Sequence, residues 1–223
     1  AVGIACLVLF VARQKRIEHP LISMRIFESS HFRISFIAQN CLFASFMGIT
    51  LIVPLYVQGL CGGSAVEAGI VFIPATILAV VVNPLAGILS DRVGARPVVI
   101  VAAALLTVGA VSMAFMDENM PLWVTTLMQT IRGMGVSALI GPLNSWGMSG
   151  LPREIVMDAS AFFAAVRQAC ASLGTAIMVL VITSLSATAQ SGAMDMSFAY
   201  QAAFGISAVL AACVLVVVIA KVR

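Results

Sequence analysis

The sequence predicts an all-α integral membrane protein of six transmembrane helices, preceded by the C-terminal end of a further helix. Three observations carry that prediction. The 223 residues are 61% hydrophobic and 9% charged, with a mean hydropathy of +1.11, against roughly 45–50% apolar and about 25% charged in soluble domains. The apolar residues fall into runs close to the roughly 20 that one helix needs to cross a bilayer. The charges then alternate: 10 of the 12 Lys and Arg lie in residues 13–33, 90–97, 145–154 and 221–223, which six crossings place on one side. The opposite loops hold Asp117, Glu118 and Asp195, with Glu67 at the other outer boundary. The positive-inside rule therefore puts residues 13–33 and the C-terminus in the cytoplasm.

Residues 1–12 (AVGIACLVLFVA) are too short to span and run into Arg13, Lys15 and Arg16, which suits the last turns of a helix leaving the membrane. Ala1 stands in an apolar stretch with no methionine, basic n-region or small-residue cleavage site, so the start reads as a continuation of a longer polypeptide rather than as a signal peptide. Residues 13–33 form a polar linker in which Pro20 cannot continue a helix. Within it the amphipathic stretch Leu21–Phe27 is expected to lie along the membrane surface.

Residues 34–223 form the six-helix unit. The first span, 34–60, lies in a segment uncharged from Ile34 to Val66, with Pro54 near its far end. The second covers 68–89 and ends at the polar hairpin Ser90–Arg96. Pro97 opens the third, 98–116, because proline fits the first turn of a helix. After the turn at Asp117, Glu118 and Asn119, Pro121 opens the fourth, 121–144, closed by the loop Ser145–Pro152. The fifth and sixth cover 154–183 and 198–220, and neither shows strand-like alternation.

Several function classes are excluded on the way. There is no Gly-x-Ser-x-Gly, no HExxH, no phosphate-binding loop and no pair of carboxylates within a span, so no enzyme site and no cofactor are expected. Cys6, Cys41, Cys61, Cys170 and Cys213 lack the spacing of a metal or redox site and read as small packing residues. The net charge of +3 comes from cations placed between spans, where they orient the chain, so no nucleic-acid partner is expected. His19 and His31 lie in the linker and read as surface residues.

The strongest motif is Gly87-Ile-Leu-Ser-Asp91-Arg92-Val-Gly94-Ala-Arg96. Gly87 and Gly94 permit close packing and a tight reversal, Asp91 suits helix N-terminal amides, and Arg92 and Arg96 can reach neighbouring helix ends or lipid headgroups. The plainer alternative is a basic hairpin that only sets topology. A second motif, Gln129-Thr-Ile-Arg132-Gly133-Met-Gly135-Val-Ser-Ala138, places an arginine at mid-bilayer, where a charge is expensive and normally faces a cavity or a partner. The alternative is a structural arginine satisfied by backbone carbonyls. Arg167 and Gln168 are also deep, ahead of the small residues Ser172, Gly174 and Ala176. Phe36, Gln39, Asn40, Phe43, Phe46 and Met47 on the first span form a candidate substrate wall, since phenylalanine and methionine make an adaptable apolar surface; helix packing or lipid contact explains them equally well.

The first motif resembles the signature loop of the major facilitator superfamily, G-x-L-a-D-R-x-G-r-[rk], and the second resembles that superfamily's embedded arginine followed by spaced glycines. Arg167-Gln168 with its small-residue run, the linker from Glu18 to Phe27, and Pro54-Leu-Tyr56-Val-Gln58 through Pro74 resemble its 14-helix drug:proton antiporters. Together these stretches cover most of residues 14–180. The resemblance implies a major facilitator half-bundle, the C-terminal half of a secondary transporter that exports lipophilic drugs or other small molecules by alternating access, driven by a proton gradient, in a bacterial cytoplasmic membrane. Its partners would be the lipid bilayer, the substrate and an N-terminal six-helix half carrying the proton-coupling acid. The alternative is a non-transporting interaction or regulatory module, or the remnant of a truncated transporter gene.

The predicted topology is open to cysteine labelling in intact cells: position 119 or 192 should react from outside and position 94 only from inside. The reverse pattern would refute it.

Overall fold

The computed structural model describes residues 24–190 and 195–222. The expected end of a preceding helix at 1–12, the linker up to residue 23 with His19, position 192 and Arg223 lie outside the described residues. Apart from short turns everything described is helical, with no strand among the described residues.

A 3-10 turn at Met24–Phe27 leads to α1, Ser30–Leu55. Ser29 caps α1, its Oγ accepting from Phe32 N at 3.4 Å. Pro54 withdraws one donor from the helical ladder, and the chain widens directly afterwards into a π turn over Tyr56–Leu60. Next comes α2, Ala65–Ile70, opened by a reciprocal capping box between Ser64 and Glu67. α3, Ile73–Val93, follows after a break at Val71–Phe72. The expected single span at 68–89 is thus two helical pieces, because Pro74 has no N–H to carry the ladder across.

Only Gly94 separates α3 from α4, Ala95–Met113. The polar hairpin expected over Ser90–Arg96 shrinks to this residue, whose φ of 91° L side chains rarely adopt. After a turn comes α5, Leu122–Ser149, then α6, Arg153–Gln190, and α7, Met196–Lys221. Two ends move beyond expectation. α5 passes Asn144 and consumes most of the expected loop, since Pro142 within it does not end it and Gly150 does. α6 continues seven residues past 183 through a small and hydroxylated sequence that contains neither glycine nor proline.

Among the described residues five stretches are long and apolar enough to cross a membrane: Ser30–Leu60, Ala65–Val93, Ala95–Met113, Arg153–Ala187 and Met196–Lys221. The sixth expected span, α5, is 28 residues long, about 42 Å at about 1.5 Å per residue, but falls short in apolarity. The reason is visible in its packing. α5 lies against α4, α3 and α1, and its buried residues include Thr125, Gln129, Thr130 and Arg132, so its polar groups face protein rather than lipid.

With lipid as apolar as leucine, helices associate through close packing rather than hydrophobic drive. The tightest seam is α4 on α5. A Cβ on Gly135 would stand 2.7 Å from Leu106 Cα and 2.9 Å from Ala102 O, and one on Gly109 would meet the Arg132 backbone at 2.6 Å. Around this seam Leu42, Val99, Leu106, Leu139, Leu143 and Val214 form one core cluster. A second, near the far ends of the helices, gathers Ile52, Tyr56, Met113, Met178 and Phe204. Of the stretch expected along the membrane surface, Leu21–Ser23 lies outside the described residues. Ile26 is fully buried with Phe32, Leu151 and Phe163, because the phenylalanines of α1 and α6 offer the turn an apolar seat.

Gly135→Val should therefore cost about 1–3 kcal/mol through overpacking, lowering the unfolding midpoint in detergent. Gly205→Ala on α7, where an added Cβ meets nothing within 4 Å, should be neutral or stabilise by up to about 1 kcal/mol.

Candidate functional site

Arg132 is fully buried about 15 Å along α5 from its first residue, ten positions at about 1.5 Å each. Its Nη2 donates to Ser45 O on α1 at 3.1 Å and lies 3.5 Å from Ser45 Oγ. Ser45 Oγ in turn shares a 2.6 Å hydrogen bond with Ser207 Oγ on α7. The guanidinium also stands 6.0 Å from the centre of the Phe46 ring, at the limit of a cation–π contact. Nε and Nη1 have no partner among the described residues, which leave the cation only partly satisfied.

Arg167 on α6 is half-buried, its guanidinium 4.4 Å from the centre of the Phe43 ring. Phe43 and Phe46 meet edge to face at 6.3 Å. The two deep arginines thus stand at either end of one aromatic pair on α1, a conjunction that no local sequence spacing shows. Gln168 points the other way and is exposed.

Of the other residues expected on the substrate wall, Gln39 is fully buried with both amide atoms unpartnered among the described residues. Asn40 donates through Nδ2 to Phe36 O at 2.8 Å, leaving Oδ1 unpartnered. Met47 is half-buried. Phe36 sits apart from this group: it stacks on Phe162 at 5.8 Å and meets Phe27, Phe32 and Phe163 in the aromatic cluster at one end of the bundle. A cleft of about 210 Å³ lies at the opposite end, lined by Tyr56, Glu67, Glu118 and Asn119 among others, and none of the expected wall residues borders it.

Asp91, Arg92 and Arg96 are exposed around Gly94. None makes a hydrogen bond or ion pair with another described residue, and α4 has no side-chain cap, so the expected contact of Asp91 with helix N-terminal amides is absent. Gly87 has no neighbour within 4 Å of an added Cβ; the close packing expected there is not made within the described chain, because that face of α3 points away from the other helices.

Sequence reasoning missed Ser45 and Ser207. The signal available was faint: single hydroxyls in otherwise apolar runs.

The sequence profile of the Major Facilitator Superfamily matches residues 2–175. The chain belongs to the major facilitator superfamily. Among curated relatives it is similar to an uncharacterized MFS-type transporter, YcnB, of Bacillus subtilis, 30% identical over 217 residues that make up 94% of this chain and 45% of the relative. It is also similar to a multidrug resistance protein B homolog of Mycobacterium tuberculosis, 30% identical over 186 residues, 81% of this chain and 34% of that protein. The riboflavin transporter RibZ of Clostridioides difficile is 28% identical over 178 residues, 78% and 39% of the two chains. This major facilitator chain therefore spans less than half the length of these relatives. Its membrane-spanning helices place it in a lipid bilayer.

The Arg132–Ser45–Ser207 knot is testable by a double-mutant cycle. Ser45→Ala should cost about 1–3 kcal/mol by leaving Ser207 unpaired, and adding Ser207→Ala should cost less than the sum of the two single changes. Strict additivity of the unfolding free energies would show that the hydroxyls act separately.

Proposed function

We propose that the chain is the C-terminal half of a secondary active transporter, a proton-coupled exporter of drugs or other small organic molecules that works by alternating access. The observation that carries this reading is the extent of the match: nearly the whole chain aligns to less than half of a transporter-length relative. Residues 34–223 would be the six-helix half, 13–33 a cytoplasmic linker and 1–12 the end of an inserted helix. The lysines and arginines between spans orient the C-terminus to the cytoplasm of a bacterial cell membrane. Relatives named for multidrug resistance and for riboflavin transport support a small-molecule cargo.

Two further features support an absent partner half. α3 and α6 are the least buried of the spanning helices, with Val80, Ile77, Leu180 and Leu173 each more than 60% exposed; an N-terminal half would cover part of those faces. Half-buried Arg167 has no carboxylate partner among the described residues, and a proton-titrating acid from the other half would complete its surroundings. Phe43, Phe46, Met47 and Asn40, each partly exposed, would border the cavity between the halves, with the fully buried Gln39 behind them. The hairpin of Asp91, Arg92 and Arg96, lying at the end of α3 and far from mid-membrane, would adjoin the other half and control conformational exchange, with Asp91 as the group that meets it.

Asp91→Asn in the intact transporter is therefore expected to slow transport while leaving ligand affinity nearly unchanged. A large loss of affinity with normal turnover would assign the hairpin to binding. The deciding experiment is reconstitution of the 223-residue chain alone in proteoliposomes with an imposed pH gradient. No sustained substrate flux is expected until the other half is supplied, and gradient-dependent flux from this chain alone would overturn the reading of it as half a machine.

A further inference from the structure

α3 and α4 are joined through Gly94 alone, yet they do not pack along their lengths. α3 lies chiefly on α5, and its contact with α4 is slight. The two helices splay and leave an open groove of about 330 Å³ between them, floored by Ala138 of α5. Every lining side chain is apolar, with Leu85, Leu89 and Val93 on one wall and Pro97, Val101 and Leu105 on the other. Val101 is 60% exposed and Leu85 55%, so the walls face the surroundings and not a closed core.

The groove has a direction and a length. It runs from Val93 beside Gly94 down to Val82, eleven positions or about 16 Å at about 1.5 Å per residue. That is close to one leaflet of a hydrocarbon core about 30 Å thick. Arg92 and Arg96 flank its mouth, each next in sequence to a lining residue, and both are exposed without a partner among the described residues. Asp91 is their one charged neighbour in the hairpin, leaving a net positive charge at the opening.

We propose that this groove holds one acyl chain of an anionic phospholipid, with the headgroup phosphate held by Arg92 and Arg96. A single leaflet-deep apolar slot capped by unpaired guanidinium groups matches the two ends of such a lipid. The phosphate would receive charge-assisted hydrogen bonds at the interface, where basic groups near a membrane surface favour anionic lipid. A zwitterionic lipid fills the groove equally well but gains less at the mouth, because its own ammonium offsets the phosphate. The site requires only a membrane and does not rest on the proposed transport activity.

The test is native mass spectrometry of the full chain, delipidated in mild detergent and exposed to dioleoyl phosphatidylglycerol, dioleoyl phosphatidylcholine or glycerol 3-phosphate. One phosphatidylglycerol per chain should be retained at least about fivefold over phosphatidylcholine, and glycerol 3-phosphate should not be retained. Arg92→Ala with Arg96→Ala should abolish that preference, while Arg92→Lys with Arg96→Lys should largely keep it. Val101→Trp or Leu85→Trp, each placing an indole in the groove from an exposed position, should displace the lipid with unchanged helical circular dichroism. Equal retention of the two phospholipids, retention of glycerol 3-phosphate alone, or lipid retention indifferent to both tryptophans in folded protein would overturn the proposal.

Discussion

A guanidinium held near the middle of a hydrocarbon core must find its solvation in protein, since a charge there costs at least about 2.5–3.5 kcal/mol on insertion scales. Much of this bundle is arranged around that demand. Arg132 reaches from α5 to the Ser45 carbonyl on α1, Ser45 passes the contact to Ser207 on α7, and Gly109 on α4 clears room for the Arg132 backbone. Residues of four helices thus meet around Arg132, of which α1 bonds its side chain directly. The same demand explains why α5 is the least lipid-like helix of spanning length: it sits among the others and turns its glutamine, threonines and arginine toward them.

The solvation is incomplete within the described chain. Two guanidinium nitrogens of Arg132, both amide atoms of Gln39 and the Gln129 carbonyl oxygen are buried without partners. Buried polar groups in folded proteins are nearly always hydrogen-bonded, and this is all the more so where no water is present. They lie along α1 and α5, enclosed between the helices of this chain, so the unmet polar demand is internal to the bundle. Elsewhere the polar groups are closed locally, as where Gln201 donates to Met116 O at 2.9 Å and Thr107 to Ala211 O at 3.1 Å.

The apolar surface divides in a comparable way. α4 is covered by α5 and α7, whereas α3 leaves most of its length bare and separates from α4 immediately after Gly94. A one-residue link usually keeps two helices side by side; here α3 follows α5 instead, because Gly133 lets Ala75 approach closely. The groove beside the cationic hairpin is the consequence of that choice of neighbour.

What the amino-acid sequence determined by itself is the class of solvent and the order of the rods. Hydropathy and charge are properties of each segment, so the runs before Cys61, before Ser90 and after Asp195 announce spans wherever they end up packing, and Gly94 announces a reversal because no other residue readily takes its backbone angle. Helix ends were less legible, as at Asn144 and Thr183, where nothing in the local sequence stops a helix whose neighbours support it. The partners of the deep arginines were not legible at all. Whether Arg132 meets Ser45, 87 residues away, whether Phe36 joins Phe162 rather than Phe43, and whether α3 leans on α5 rather than α4 depend on the rotation and tilt of whole helices. Those are set by small-residue contacts between distant segments, and only the tertiary structure brings such contacts together.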